Sequence, residues 1–194
     1  MGREEFFHTL CKDLTGTYVE IGTCWGGFAE FLLLNTPCTK LLCIDPYRVF
    51  PNHIYNDSLN FQPQEELDKK YFIVLQRLSN NKAHKTVSMV RQTSYEASKT
   101  VENNLSFVYI DGNHHHREVL KDLVVWWPKI RKGGMFCGDD VEDLNFPHTD
   151  GDCIIQHNPS TYGVYGVHTA LRDFAKIAPD FKYQVVGNQF FAIK

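Results

Sequence analysis

Residues Phe107–His116, FVYIDGNHHH, constrain this chain more than any other stretch. An apolar run ends abruptly in an Asp, a Gly, an Asn and three histidines. That pattern predicts a buried strand that delivers a carboxylate and imidazoles to the loop at its C-terminal end. Residues Gly133–Asp140, GGMFCGDD, repeat the form with a short apolar strand ending in paired acids. In an open parallel α/β sheet, adjacent strand ends line the crevice where ligands bind. Asp111, Asp139, Asp140 and His114 converging there point to a hard metal ion beside a base.

The rest of the chain supplies the sheet that such strand ends require. Residues 17–21 and 41–44 read as strands, with an apolar helix through Phe28, Phe31, Leu32 and Leu34 between them, stopped by Pro37. Helical spacing predicts a helix over 65–78 (Leu67, Tyr71, Val74, Leu75, Leu78). A third strand over 86–90, a short helix near 94–101 and a fourth strand over 105–110 follow. An amphipathic helix over 118–127 is closed by Pro128, and a fifth strand is predicted at 135–137. Residues 46–63 and 141–163 read as long loops, and 168–177 as a helix. Strands at 181–186 and 189–193 flank Gly187-Asn188, a hairpin signal. Strand–helix alternation implies a Rossmann-like α/β fold, mostly parallel, with a C-terminal antiparallel hairpin. The length of 194 residues fits one domain spanning 1–194, either standing alone or as one domain of a longer glycan-building protein.

Residues 19–27, VEIGTCWGG, form a strand–turn–helix junction. Gly22 allows the tight turn, and Gly26 and Gly27 let the helix start close to strand and ligand. Asp45 ends the next strand, where a carboxylate is placed to accept from ribose hydroxyls. The glycine spacing alone is a weak signal, and Glu20 and Asp45 give it weight.

Composition excludes several classes. The formal net charge is −3 with no basic stripe, so no nucleic-acid partner is expected. No apolar run approaches the roughly 20 residues needed to span a bilayer, so no membrane partner is expected. The N-terminus carries no signal-peptide core, and six scattered cysteines without a C-x-x-C pair suit buried thiols in a reducing compartment. A cytoplasmic location is the expectation, and an oligomer is left open. His148, Cys153 and His157 match no familiar zinc spacing.

The motifs VEIGTCWGG, LLCIDPY and FVYIDGNHHHREVLKDLVVWWPKIRKGGMFCGDDV resemble those of class I S-adenosylmethionine-dependent methyltransferases. Within that class the chain is similar to the metal-dependent O-methyltransferases that act on sugars, of the macrocin and mycinamicin type. It also resembles methyltransferase domains in glycan-building proteins of large DNA viruses. The likeness covers roughly residues 17–140. It implies Mg²⁺ or Mn²⁺ at Asp111, Asp139 and Asp140, and His114 as general base. It implies S-adenosylmethionine at Glu20, Gly22, Thr23, Trp25, Gly26, Asp45, Ser94 and Asp111. The position two after Asp111, where some relatives carry an Asp base, is Asn113.

The implied reaction is O-methylation of a sugar hydroxyl on a glycan or glycoside. The hydroxyl is a poor nucleophile, a bound cation favours its alkoxide, and an imidazole removes the proton. Tyr47, Tyr55, Tyr162 and Tyr165, in the two long loops, are candidates to line the acceptor pocket, with His168 beside them. His115 and His116 are expected to be helix-start or surface residues, and Trp126 and Trp127 core. The main alternative is a catechol-type O-methyltransferase acting on a small phenol, which uses a metal but usually a Lys base. An NAD-dependent dehydrogenase finds a Y-x-x-x-K match at Tyr95–Lys99, but before the fourth strand, and it has no task for the paired acids. A non-catalytic binding domain is disfavoured by the intact acid and His set.

Overall fold

The computed structural model describes residues 3–51, 62–80, 85–142, 144–158 and 161–194, leaving aside the side chains of Arg3 and of 157, 158, 161 and 162. Helix α1 (Arg3–Cys11) leads into β1 (Gly16–Ile21), α2 (Gly27–Asn35), β2 (Cys38–Ile44), α3 (Gln64–Asn80), β3 (Thr86–Val90) and α4 (Ser94–Ser98). Then come β4 (Leu105–Ile110), α5 (His116–Trp126), a 3-10 turn at Trp127–Lys129 and β5 (Ile130–Gly138). The chain finishes with β6 (Cys153–Asn158), β7 (Thr161–Tyr165), α6 (Val167–Ile177), β8 (Tyr183–Val186) and β9 (Gln189–Ile193).

Seven strands form one sheet in the order β3-β2-β1-β4-β5-β9-β8, parallel from β3 to β5, with β9 and β8 antiparallel. This is the expected Rossmann-like arrangement with its C-terminal hairpin. Alternation along the strands divides the core in two. Val19, Ile21, Val108, Ile110 and Phe136 pack under α5 and α6, together with Leu123, Trp126 and Phe174. Tyr18, Leu41, Phe107, Tyr109 and Cys137 face α1, α2 and α3 with Phe7, Phe28, Leu32 and Val74. Helices on both faces explain why β4 is buried at every position and is apolar throughout apart from Ser106. Trp126 and Trp127 are core residues, as expected.

Chain order reverses between β1 and β4, which both run in from the same edge and then diverge to α2 and α5. At this switch point the ladder continues one residue beyond each strand. Gly22 N–H donates to Ile44 O at 2.8 Å, Asp111 N–H to Ile21 O at 2.8 Å, Asp45 N–H to Val90 O at 3.2 Å and Asp139 N–H to Ile110 O at 3.2 Å. These bonds hold Gly22, Asp45, Asp111 and Asp139 along one rim.

Several elements differ from expectation. The stretch expected as loop over 141–163 contains the antiparallel pair β6–β7. Asp152 and Gly166, which flank this hairpin, bond to the His116 N–H at the start of α5 and to the His114 carbonyl just before it. Strand β5 begins at Ile130 rather than 135, and Gly133-Gly134, which look like a turn, lie within it. Gly133, at φ 74°, donates its N–H to Lys194 O, and Lys194 N–H returns a bond to Gly134 O, so the chain does not turn away. Strand β2 starts earlier, at Cys38, and α4 stops earlier, at Ser98. Helix α1 has no clean apolar stripe in REEFFHTLC, yet it buries Phe7 and Cys11. The region 52–61 of the first long loop, including Tyr55, lies outside the described residues.

Candidate active site

A cleft of about 720 Å³ opens over this rim. It has the size usual for a small-molecule site. Its walls carry Gly22 and Cys24 from the β1–α2 turn, Asp45 and Tyr47 after β2, Thr93, Ser94 and Tyr95 at the start of α4, Asp111 to His114 after β4, and Glu118, Lys121 and Asp122 from α5.

The glycine turn is fixed by close approach. Gly22 has φ 88°, and a Cβ there would overlap the carbonyl of Asp111. Only glycine combines this backbone conformation with that contact. Asp45 then ties the turn to the next strand, Oδ2 accepting from Cys24 N–H at 2.9 Å and Oδ1 from Tyr47 N–H at 2.9 Å. Tyr47 returns the link by donating its hydroxyl to Cys24 O at 2.8 Å. Burial raises the Asp45 carboxyl, opposed by those two backbone N–H groups and by the Lys70 ammonium. Each carboxylate oxygen has a second lone pair for a ligand hydroxyl.

The backbone is held in the left-handed region at Cys24 (φ 50°), Tyr47 (φ 42°) and Asp140 (φ 57°). Such positions cost roughly 1–3 kcal/mol each and persist where the surroundings over-determine them. All three lie in loops that follow the C-terminal ends of parallel strands.

Beside the cleft, Asp111, His114 and Asp140 place one ligand atom each within 4.8 Å of one another. His114 Nε2 is 3.3 Å from Asp140 Oδ2 and 3.6 Å from Asp111 Oδ1. The imidazole is stacked on Tyr165, with ring centroids 5.7 Å apart and planes within 5°. Gly166 N–H donates to His114 O at 2.8 Å, so β7 holds the loop as well as the ring.

Asp139, the third expected ligand, is tied to its surroundings chiefly through one oxygen. Its Oδ1 accepts from Asp140 N–H at 2.7 Å, from Asn188 Nδ2 at 2.7 Å and from Gln189 Nε2. It thus joins the Asp140 backbone to the β8–β9 hairpin. The other two histidines face acids from the C-terminal part of the chain. His115 caps α5 and lies 3.2 Å from Asp152, while His116 begins the helix and lies 3.1 Å from Asp173.

The remaining expected cofactor residues fall into two groups. Gly22, Asp45, Ser94 and Asp111 line the cleft. Glu20 is buried on β1 beneath the turn, Thr23 is buried within it, and Gly26 starts α2 against Val74. Trp25 is 54% exposed, with the Lys70 ammonium 4.5 Å from its ring centroid. Ser94 Oγ accepts from Trp126 Nε1 at 2.8 Å and donates to Asp122 Oδ1.

Nothing in the sequence motifs marks Asp122. The one signal is an acid on the apolar face of α5, between Val119 and Trp126. Burial raises its carboxyl to about 7, and nearby Glu118 adds to that rise, against the Ser94 hydrogen bond and Lys121, which lower it. Of the acceptor-loop candidates, Tyr47 lines the cleft and Tyr165 backs His114, whereas His168 bonds to Glu142. The side chain of Tyr162 lies outside the described residues. Of the zinc combination, His148 is 3.4 Å from Glu142 and Cys153 is buried in β6, while the side chain of His157 lies outside the described residues.

Comparisons with known proteins agree with this architecture. Residues 19–141 match the family described as "Methyltransferase domain". That span is more than half of the chain, and the chain belongs to this family. It has the class I methyltransferase fold, whose members draw the methyl group from S-adenosylmethionine. Uncharacterized protein R132 of Acanthamoeba polyphaga mimivirus is 28% identical over 148 residues, which is 74% of this chain and 59% of that protein. The chain therefore matches well under two thirds of that relative's length. The O-methyltransferase NovP has a similar fold, with a TM-score of 0.66 and 14% identity over 99% of this chain and 79% of that one. An rRNA methylase from Streptococcus thermophilus gives 0.59 and 11%, over 98% and 93% of the two chains. Names so different on one fold leave the acceptor to be argued from the site.

Proposed function

We propose that this chain transfers the methyl group of S-adenosylmethionine to a sugar hydroxyl of a glycan or glycoside with the help of a divalent cation. The observation that carries this reading is the meeting of Asp111, Asp140 and His114 within 4.8 Å beside the nucleotide-sized cleft. When bound, the sulfonium supplies an activated methyl group and the cation supplies Lewis acidity at the acceptor oxygen.

The residues fit both groups. Gly22 lines the cleft at the turn after β1, and Asp45 beside it offers lone pairs for ribose hydroxyls. Asp111 and Asp140 offer hard oxygen donors of the kind Mg²⁺ or Mn²⁺ takes. Asp139 supports them by fixing the Asp140 backbone. His114, oriented by Tyr165 and by the Gly166 bond to its carbonyl, takes the proton from the acceptor hydroxyl.

Tyr47 and Tyr165 give an acceptor aromatic faces, as sugar rings favour. The net charge of −3 argues against a nucleic-acid acceptor. A catechol-type reaction would call for a Lys base beside this loop, but the loop offers histidines, and Lys121 is paired to Glu118 at 2.6 Å. Incubation with S-adenosylmethionine and Mn²⁺ across matched panels of glycosides and phenols tests the reading. A product in the glycoside panel supports it, and a product only among the phenols overturns it.

A further inference from the structure

We propose that Asp122 reads the amino edge of the cofactor's adenine, with Ser94 as the residue that positions it. This rests on S-adenosylmethionine occupying the cleft, and it moves base recognition away from Ser94 itself.

Hydrogen-bond supply decides the matter. A serine hydroxyl has a single hydrogen to donate. Ser94 gives it to Asp122 Oδ1, and it accepts from Trp126 Nε1 at 2.8 Å. Trp126 N–H can only donate, so Ser94 Oγ accepts from it, and above about pH 7, where Asp122 is ionised and can only accept, the one serine hydrogen goes to the carboxylate. Ser94 therefore has no hydrogen left for a ring nitrogen of a purine. Its role is to hold one oxygen of Asp122.

The second oxygen, Oδ2, has no hydrogen-bond partner among the described residues. Nor does Asp122 have an ion-pair partner there, since its neighbour Lys121 is paired with Glu118 at 2.6 Å. Buried acids are normally paired, because desolvation of an unpaired carboxylate is costly. Asp122 is 8% exposed and lies in the wall of the cleft with Thr93, Ser94 and Tyr95. An acid so placed calls for a donor from a ligand. Adenine carries an exocyclic amine, two N–H donors that its deaminated counterpart replaces with a carbonyl acceptor. The carboxylate fits the first and repels the second.

Calorimetric titration with S-adenosylhomocysteine and with S-inosylhomocysteine tests this. The measurement is made at pH 8, above the value of about 7 to which burial lifts the carboxyl. The wild-type protein is expected to bind the adenosyl compound roughly 10- to 100-fold more tightly, the range for one hydrogen bond to a charged group. Asp122→Asn keeps the shape and the Ser94 bond but presents an N–H donor. It should abolish or reverse that preference while still binding. Ser94→Ala should reduce the preference by a smaller factor. A purely structural Asp122 would shift both affinities together and leave their ratio alone. Equal binding of the two compounds by wild type, or an unchanged ratio in Asp122→Asn, overturns the assignment and leaves the cofactor reading standing. Binding of neither compound by wild type overturns the cofactor reading and the assignment with it.

Discussion

His114 places its Nε2 3.3 Å from Oδ2 of Asp140, so two loops that follow different strands meet at one imidazole. The contact depends on β4 and β5 being neighbours, since their registered ends carry Asp111 and Asp139-Asp140 to the same rim. Replacing His114 by Ala should lower turnover by about 10²- to 10⁴-fold, the usual share of a general base. Affinity for S-adenosylhomocysteine should stay near wild type. A variant with near-normal turnover would mean the base is another group.

His115→Ala and His116→Ala should act on the fold rather than on the chemistry. Each loses a contact between α5 and either Asp152 or Asp173. Turnover should stay within a few-fold of wild type, while the melting temperature falls. A dead His115 variant that melts like wild type would contradict these roles.

The Gly22 turn should not tolerate a side chain. In Gly22→Ala the new methyl meets the Asp111 carbonyl, at a backbone angle of φ 88° that alanine disfavours. The expected loss is about 3 kcal/mol or more of stability, together with loss of cofactor binding. Denaturant unfolding and calorimetry check the two parts separately.

For Asp45→Ala, losing the ribose acceptor should cost on the order of 1.5–3 kcal/mol of cofactor affinity. The variant also releases Cys24 N–H and Tyr47 N–H, so a modest drop in melting temperature should accompany it. Unchanged affinity in calorimetry would refute the ribose assignment.

The Asp122 carboxyl lies at about 7 in the folded chain against an ordinary 3.8. Between those values the folded protein keeps a proton that the unfolded chain has released. Its contribution to stability is therefore fully present below about 4 and is lost as pH rises through about 7. Asp122→Asn removes this dependence. Relative to wild type, the variant should gain on the order of 2–4 kcal/mol between pH 4 and pH 8. Denaturant titrations of both proteins at the two pH values check it, and parallel pH profiles would contradict it.

The parts of this molecule legible in its sequence are those where one physical cause dominates. Strand β4, buried at every position, ends in the apolar run Phe107–Ile110, and the Gly187-Asn188 turn marks the last hairpin. Asp45 and Asp111 were legible because each directly follows such a run. The β6–β7 hairpin was not, since its pairing with α5 runs through Asp152, Gly166 and the His114 carbonyl rather than through an apolar stripe. The bonding of Asp139 depends on Asn188 and Gln189, about fifty residues on, and no local pattern announces it. Asp122 stayed hidden because its partner Ser94 comes from another element.

The cation reading separates the acids. Asp111→Asn and Asp140→Asn should each weaken Mn²⁺ binding severely, while Asp139→Asn should weaken it less and loosen the C-terminal hairpin. Paramagnetic titration of Mn²⁺ measures the first effect, and hydrogen exchange in β8 and β9 the second. Equal Mn²⁺ losses in all three variants, with no change in exchange, would make Asp139 a direct ligand.

The most direct test of the central claim is mass spectrometry of a glycoside panel incubated with the protein, S-adenosylmethionine and Mn²⁺ or Mg²⁺, with and without excess EDTA. The account predicts a gain of one methyl group on a sugar hydroxyl that disappears when the metal is removed and returns when it is restored. Methylation that persists in full with EDTA, or that appears on phenols and on no glycoside, would contradict it.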